Sequence, residues 1–142
     1  MWIKDFISRS GFANLSVGSS TDNLAVLLQQ LPPETQLQKS PTIVRIDDIE
    51  VSFNDTVIQR VKILFWNGIP RIPQIINPQV NGWHRDMSLY DAIIEIELSD
   101  IPWMIEQRLT FDRQLTLKIA KECMVVFDLD HRELQSISIS AA

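Results

Sequence analysis

Glycine is scarce in this chain of 142 residues, with 4 in all, and there is a single cysteine and no long apolar run. Each shortage excludes something. One thiol, Cys123, cannot form an internal disulfide. Set among Met124, Val125 and Val126, it reads as a small buried hydrophobe. So few glycines, none of them clustered, exclude a phosphate-cradling loop and a collagen-like repeat. No apolar stretch approaches the ~18 residues of a membrane-crossing helix. The opening Met1-Trp2-Ile3-Lys4-Asp5-Phe6 lacks the apolar run and cleavage site of a signal peptide, so the expected location is cytoplasmic. Cationic excess is missing too: 13 Lys and Arg stand against 18 Asp and Glu, a formal net charge of −5. That balance argues against a nucleic-acid partner. It fits a basic protein partner, and it also keeps a small domain in solution.

What is present is the mix of an ordinary globular domain, 45% hydrophobic and 22% charged, and the length fits one domain. Trp2, Ile3, Phe6 and Ile7 have helical spacing, with a stop near Gly11. Leu24, Leu27, Leu28 and Leu31 form one helix face behind the caps Ser20-Thr21-Asp22-Asn23, and Pro32-Pro33 ends it; the spacing predicts a helix over Asp22–Gln30. Thr42–Ile46 is a β-branched strand, Asp47-Asp48 a turn, and Ile49, Val51 and Phe53 alternate as a second strand. After Asn54-Asp55-Thr56, the residues Val61, Ile63 and Phe65 alternate again, completing a meander from Thr42 to Trp66.

Asn67 to Asp86 holds three prolines and two glycines and is expected to be a long loop, a kind of segment that is often functional. Ser88 then opens a helix over Leu89–Glu97, although Ile94, Ile96 and Leu98 fit a strand equally well. A second meander starts with Trp103, Ile105, Gln107 and Leu109 and turns at Phe111-Asp112-Arg113. It continues through Leu115, Leu117 and Ile119, turns at Lys121-Glu122, and finishes with strands Cys123–Asp128 and Leu134–Ser140.

The halves echo one another. Val51-Ser52-Phe53 leads through a turn to Ile58, Val61 and Ile63, as Val125-Val126-Phe127 leads to Leu134, Ile137 and Ile139. The expected architecture is α+β: two helix-plus-antiparallel-meander units, about 1–66 and 88–142, joined by a loop of about 67–87 into one domain. Internal duplication or one continuous sheet would both give this pattern.

Gly18-Ser19-Ser20-Thr21-Asp22-Asn23-Leu24, with Leu27-Leu28 and Leu31-Pro32, resembles the opening of small bacterial helix-then-sheet domains. Asp48-Ile49-Glu50-Val51-Ser52-Phe53 followed by Val61-Lys62-Ile63 resembles the strand pair that comes next. Two groups are built in this way. One is the cytoplasmic immunity proteins that neutralise polymorphic toxins. The other is the tandem helix-plus-sheet fold of β-lactamase inhibitor protein and outer-membrane assembly lipoproteins. The match departs at Gln30, where a turn glycine is expected, and the lipidated cysteine of the lipoproteins is absent. The resemblance implies a non-catalytic binder of another protein.

Catalytic patterns are thin. There is no Gly-x-Ser-x-Gly elbow, and Cys123 on an apolar strand would disfavour a thiolate. Glu95 and Glu97 do not share a helix face. Asp128, Asp130 and His131 fall in a hairpin turn, where Asp is favoured for backbone reasons, so no metal or other cofactor is expected. The candidate partner-binding residues are Trp83, His84, Arg85 and Asp86 at the end of the long loop, because Trp and Arg anchor interfaces. The acidic Asp47, Asp48 and Glu50, or the turn around Asp128–Glu133, would meet a basic patch. Trp66, directly after a strand, and Trp103, after Pro102, are expected to cover the core. The expected function is non-enzymatic occlusion of a partner protein, as an immunity protein would perform it. A ligand-binding or small catalytic domain using a cleft between the units, and a self-associating module using sheet edges, are the alternatives.

Overall fold

The computed structural model describes residues 2–120 and 122–141. Lys121, expected in a turn with Glu122, lies outside the described residues. Three α-helices form among them: α1 (Trp2–Ser8), α2 (Thr21–Gln29) and α3 (Leu89–Leu98). Capping side chains start two of them. The Ser20 hydroxyl accepts from the Asp22 N–H at 3.0 Å, and the Ser88 hydroxyl accepts from the Asp91 N–H at 3.0 Å. The second cap decides the helix-or-strand ambiguity after Ser88 in favour of helix. At its other end the Ser99 hydroxyl donates to the Glu95 carbonyl at 2.8 Å, and Asp100 turns the chain away with φ 59°.

A two-residue ladder, β1 (Gly11–Phe12) with β2 (Leu15–Ser16), follows α1. It requires glycine at position 11: φ is +137°, and a Cβ there would lie 2.6 Å from the Leu15 carbonyl oxygen. The main sheet has eight antiparallel strands. The first four are β3 (Leu37–Lys39), β4 (Ile43–Ile46), β5 (Ile49–Asn54) and β6 (Val57–Leu64). The others are β7 (Trp103–Ile105), β8 (Gln114–Ile119), β9 (Cys123–Asp128) and β10 (Glu133–Ser140). Their order is β3-β4-β5-β6-β10-β9-β8-β7, two four-stranded meanders joined along β6 and β10. The turns at Asp47, Asp55 and Asp112 carry φ of 48°, 52° and 50°, a left-handed conformation that Asp tolerates better than most residues.

Register explains the burial. One row crosses all eight strands as Leu37, Ile46, Ile49, Ile63, Ile137, Val125, Leu117 and Ile105. A parallel row runs from Val44 through Val51, Val61, Ile139, Cys123 and Ile119 to Trp103. Away from the edges these rows are buried, in one core with Leu24 and Leu27 of α2 and Ala92 and Ile96 of α3. The row between them, which faces the other way, reads Gln38, Arg45, Glu50, Lys62, Ser138, Met124, Lys118 and Met104. The helices therefore cover one face, and the other is polar.

Three features depart from the periodic pattern. Gln107–Leu109 is a single 3-10 turn, not a strand, because Glu106 and Thr110 fold back: Glu106 accepts from the Arg108 N–H, and the Thr110 hydroxyl donates to the Glu106 carbonyl at 3.0 Å. Strand β3 carries no signal in the sequence, since Leu37-Gln38-Lys39 is too short and exposed to alternate. The β1–β2 ladder carries none either, being shorter than any period.

Cys123 sits in the second core row between Ile139 and Ile119, fully buried. Burial pushes its thiol up to about 12. The folded protein is expected to resist thiol-specific labelling at neutral pH and to label completely once unfolded in denaturant. Fast labelling of the folded protein would place this residue outside the core.

Candidate functional site

The loop between β6 and α3 is a strap bound down along its length. The buried Asp48 carboxylate fastens one end: it accepts from the Arg71 N–H at 2.7 Å and from Asn67 Nδ2 at 3.0 Å, with the Arg45 guanidinium 3.7 Å away. The Asn77 carbonyl accepts from the Ala13 N–H at 2.6 Å, and the Ile75 carbonyl accepts from Asn14 Nδ2 at 2.7 Å. The far end joins the sheet, where the Leu134 N–H donates to the Arg85 carbonyl at 2.8 Å. Along this path Ile76, Val80 and Trp83 enter the core.

That geometry relocates the residues expected to bind a partner. Trp83 is 2% exposed and meets the Trp2 ring edge-on, with centroids 5.6 Å apart. Phe6 and Phe12 extend the same aromatic cluster. Arg85 donates to the Trp66 carbonyl at 3.2 Å and lies 3.7 Å from Glu133. Asp47 holds the lead into β3, accepting from the Gln36 N–H at 2.9 Å. Glu50 lies on the polar sheet face, 3.8 Å from Arg60. His84 is half-buried, and Asp86 is open to solvent. Asp48 and Trp83 are core and strap residues, so they do not form an acidic surface with an aromatic anchor. The reason is local: Asp48 sits one residue past the left-handed Asp47, where its buried carboxylate is satisfied by donors of the strap.

Trp66 and Trp83 exchange the expected roles. Trp66 is 48% exposed, with the Arg45 guanidinium 5.1 Å from its ring centroid. Trp103 is half-buried at the sheet edge, where its Nε1 donates to Glu97 at 2.8 Å.

In the β9–β10 turn, His131 Nδ1 lies 2.8 Å from Asp128, while Asp130 pairs with Arg113 at 2.5 Å. The carboxylates are engaged separately, and the described residues hold no cluster of three potential metal ligands. The hydrogen bond raises the His131 pKa above its ordinary value and lowers that of Asp128.

A different surface stands out. From Met87 to Gln107 the chain has no Lys, Arg or His and five carboxylates. Those five equal the whole formal net charge of −5; the rest of the chain balances 13 Asp and Glu against 13 Lys and Arg. Among the described residues no ion pair engages Asp91, Glu95, Glu97 or Asp100, whereas Glu106 is buried beside Arg108. The same stretch exposes Tyr90 (72%), Ile94 and Leu98 (76%), spaced four apart along one ridge of α3. Met104 and Ile105 of β7 are also exposed, and the Trp103–Glu97 bond ties β7 to the last turn of α3. Glu95 and Glu97 occupy the negative end of the helix dipole with no basic residue in the last turn, an arrangement that favours an incoming cation. The signal is readable in the sequence as a long cation-free run carrying apolar residues on two faces of one helix.

Comparison with family models, curated proteins and solved structures returns no match for this chain.

Trp83→Ala is expected to cost about 3–5 kcal/mol, and Trp66→Ala no more than about 1 kcal/mol, measured by urea unfolding. Equal losses would contradict their different burial. The His131–Asp128 pair contributes to stability below the ordinary histidine pKa and loses that contribution as pH rises through the raised value. On the acid side it is lost as pH falls through the lowered Asp128 value. An NMR titration is expected to place the His131 midpoint above that of histidine in an unstructured peptide, and Asp128→Asn is expected to bring it down.

Proposed function

We propose that this chain is a non-enzymatic protein-binding module that silences a partner by covering it, in the manner of a toxin-immunity protein. The observation that carries the reading is the coincidence of all the net charge with an exposed apolar ridge between Met87 and Gln107. Exposed apolar area supplies the driving force of association, and a rim of one charge sign steers and selects the partner. Tyr90 and Leu98 act as anchors, and Asp91, Glu95, Glu97 and Asp100 select a partner rich in Lys and Arg. The same reading takes the two halves as copies of one helix-then-meander unit, which their matching strand order supports.

The test is capture from host lysate with the tagged chain beside a Tyr90→Ser, Leu98→Ser variant. Both side chains are exposed, so the fold is expected to persist. A basic partner is expected on the parent chain, released by salt. Loss of two anchors is expected to weaken it by about 2 kcal/mol or more, roughly thirtyfold. A partner held equally by both chains would remove the α3 ridge from the interface.

A further inference from the structure

The two edges of the sheet are built differently. At one edge, β3 reads Leu37-Gln38-Lys39 and carries the charged side chain that ordinarily discourages strand addition. At the other, β7 reads Trp103-Met104-Ile105, pairs with β8 without a bulge, and carries no charge. Which of its backbone groups are open follows from the ladder. The Glu106 N–H donates to the Thr116 carbonyl, and the Ala120 N–H donates to the Pro102 carbonyl, both at 2.9 Å. In an antiparallel pair the hydrogen-bonded positions alternate, so Met104 is the one that bonds β8. The N–H and C=O of Trp103 and Ile105 therefore point away from the sheet, four groups set to accept a ninth strand.

We propose that β7 receives an extended, cation-bearing segment of the partner protein as an added edge strand. This inference rests on the protein-binding reading above and specifies how the partner docks. Charge selects the occupant. A second copy of this chain added edge to edge would bring two Glu97 carboxylates towards one another, with the rest of the acidic α3 behind them, which like-charge repulsion opposes. A strand bearing Lys or Arg on its helix-side positions would lay their aliphatic stems along Trp103 and Ile105 and place their charges towards Glu97 at the acidic end of α3. Its alternate side chains would be apolar, facing Met104 and a groove of about 450 Å³ lined by Pro102, Trp103, Met104, Lys118 and Ala120. Main-chain hydrogen bonds would supply affinity, and the alternating side chains specificity.

The experiment titrates the full chain with a blocked peptide of alternating lysine and valine, and with its glutamate–valine counterpart. Hydrogen exchange reads the Trp103 and Ile105 amides. The expected result is slowed exchange at those two amides with the lysine peptide only, weakened by salt. Ile105→Pro deletes an outward N–H without removing a β8 hydrogen bond, and is expected to weaken binding about tenfold. Ile105→Lys keeps the backbone donors and places a cation against the incoming ones; it is expected to weaken binding as well, and covers the case where the proline variant fails to fold. Equal binding of both peptides, or no binding of either, would overturn the inference. So would a dimer of the free chain that Ile105→Pro dissolves, because the occupant would then be a second copy. If the captured partner is lost with the Tyr90 and Leu98 variant but kept by Ile105→Pro and Ile105→Lys, strand addition fails while the protein-binding reading stands.

Discussion

Every layer of this fold depends on the pairing of β6 with β10. Five register pairs, from Ser136 with Leu64 to Ser140 with Arg60, join two meanders that are otherwise local hairpins. The bond from the Ala141 N–H to the Gln59 carbonyl extends the seam at one end, and the bond from Phe65 to Gln135 extends it at the other. Because the seam is in register, the apolar rows of one meander continue into the other without a break. A slip of one residue would turn the Ile63–Ile137 and Val61–Ile139 contacts to the polar face and split the core in two. The hydrophobic burial of the whole sheet is conditional on that alignment.

The seam also decides what is left open. Placing the two longest strands at the centre sends the shortest, β3 and β7, to the edges. The helices cover the middle of one face, so the apolar rows end in half-exposed side chains, Leu37 at one edge and Ile105 at the other. At the first edge the neighbours are polar or basic. At the second, Glu97 of α3 lies against Trp103, outside any ion pair among the described residues. The same topology therefore yields two open edges, one bearing a lysine and one that combines apolar contact area with neighbouring carboxylates.

The regular parts of this arrangement are legible in the sequence because they follow periods. Ile49 and Val51, Leu117 and Ile119, and Leu24 and Leu27 are buried as their periods predict, although Leu115, Phe53 and Leu28 are half-buried and the polar Thr116 is buried. The turn acids Asp47, Asp55 and Asp112 can be placed because their backbone preference is local. The prolines of the strap mark it as irregular, yet its contacts cannot be read from them. No period distinguishes Trp83, which enters the aromatic cluster with Trp2, from Trp66, which stacks under Arg45 at the surface. Asp48 defeats sequence reading for a related reason. Its partners at Asn67 and Arg71 are brought to it only when the strap folds across the turn. The candidate docking face is half visible. Its charge is a linear run, whereas its position beside an open edge requires the strand order.

The seam has a consequence for the order in which the molecule is made. Strand β6 is complete at Leu64, but its partner begins at Glu133. At roughly 5–20 residues per second, synthesis of the intervening chain takes on the order of 3–14 s. During that interval the first meander exists with its most apolar edge unpaired, while the strap and α3 emerge from the ribosome. The acidic, cation-free run from Met87 to Gln107 is made in that interval. Net charge in a nascent chain opposes association with its neighbours on the same message. The carboxylates of the candidate docking face are therefore made before the sheet receives its central strand β10.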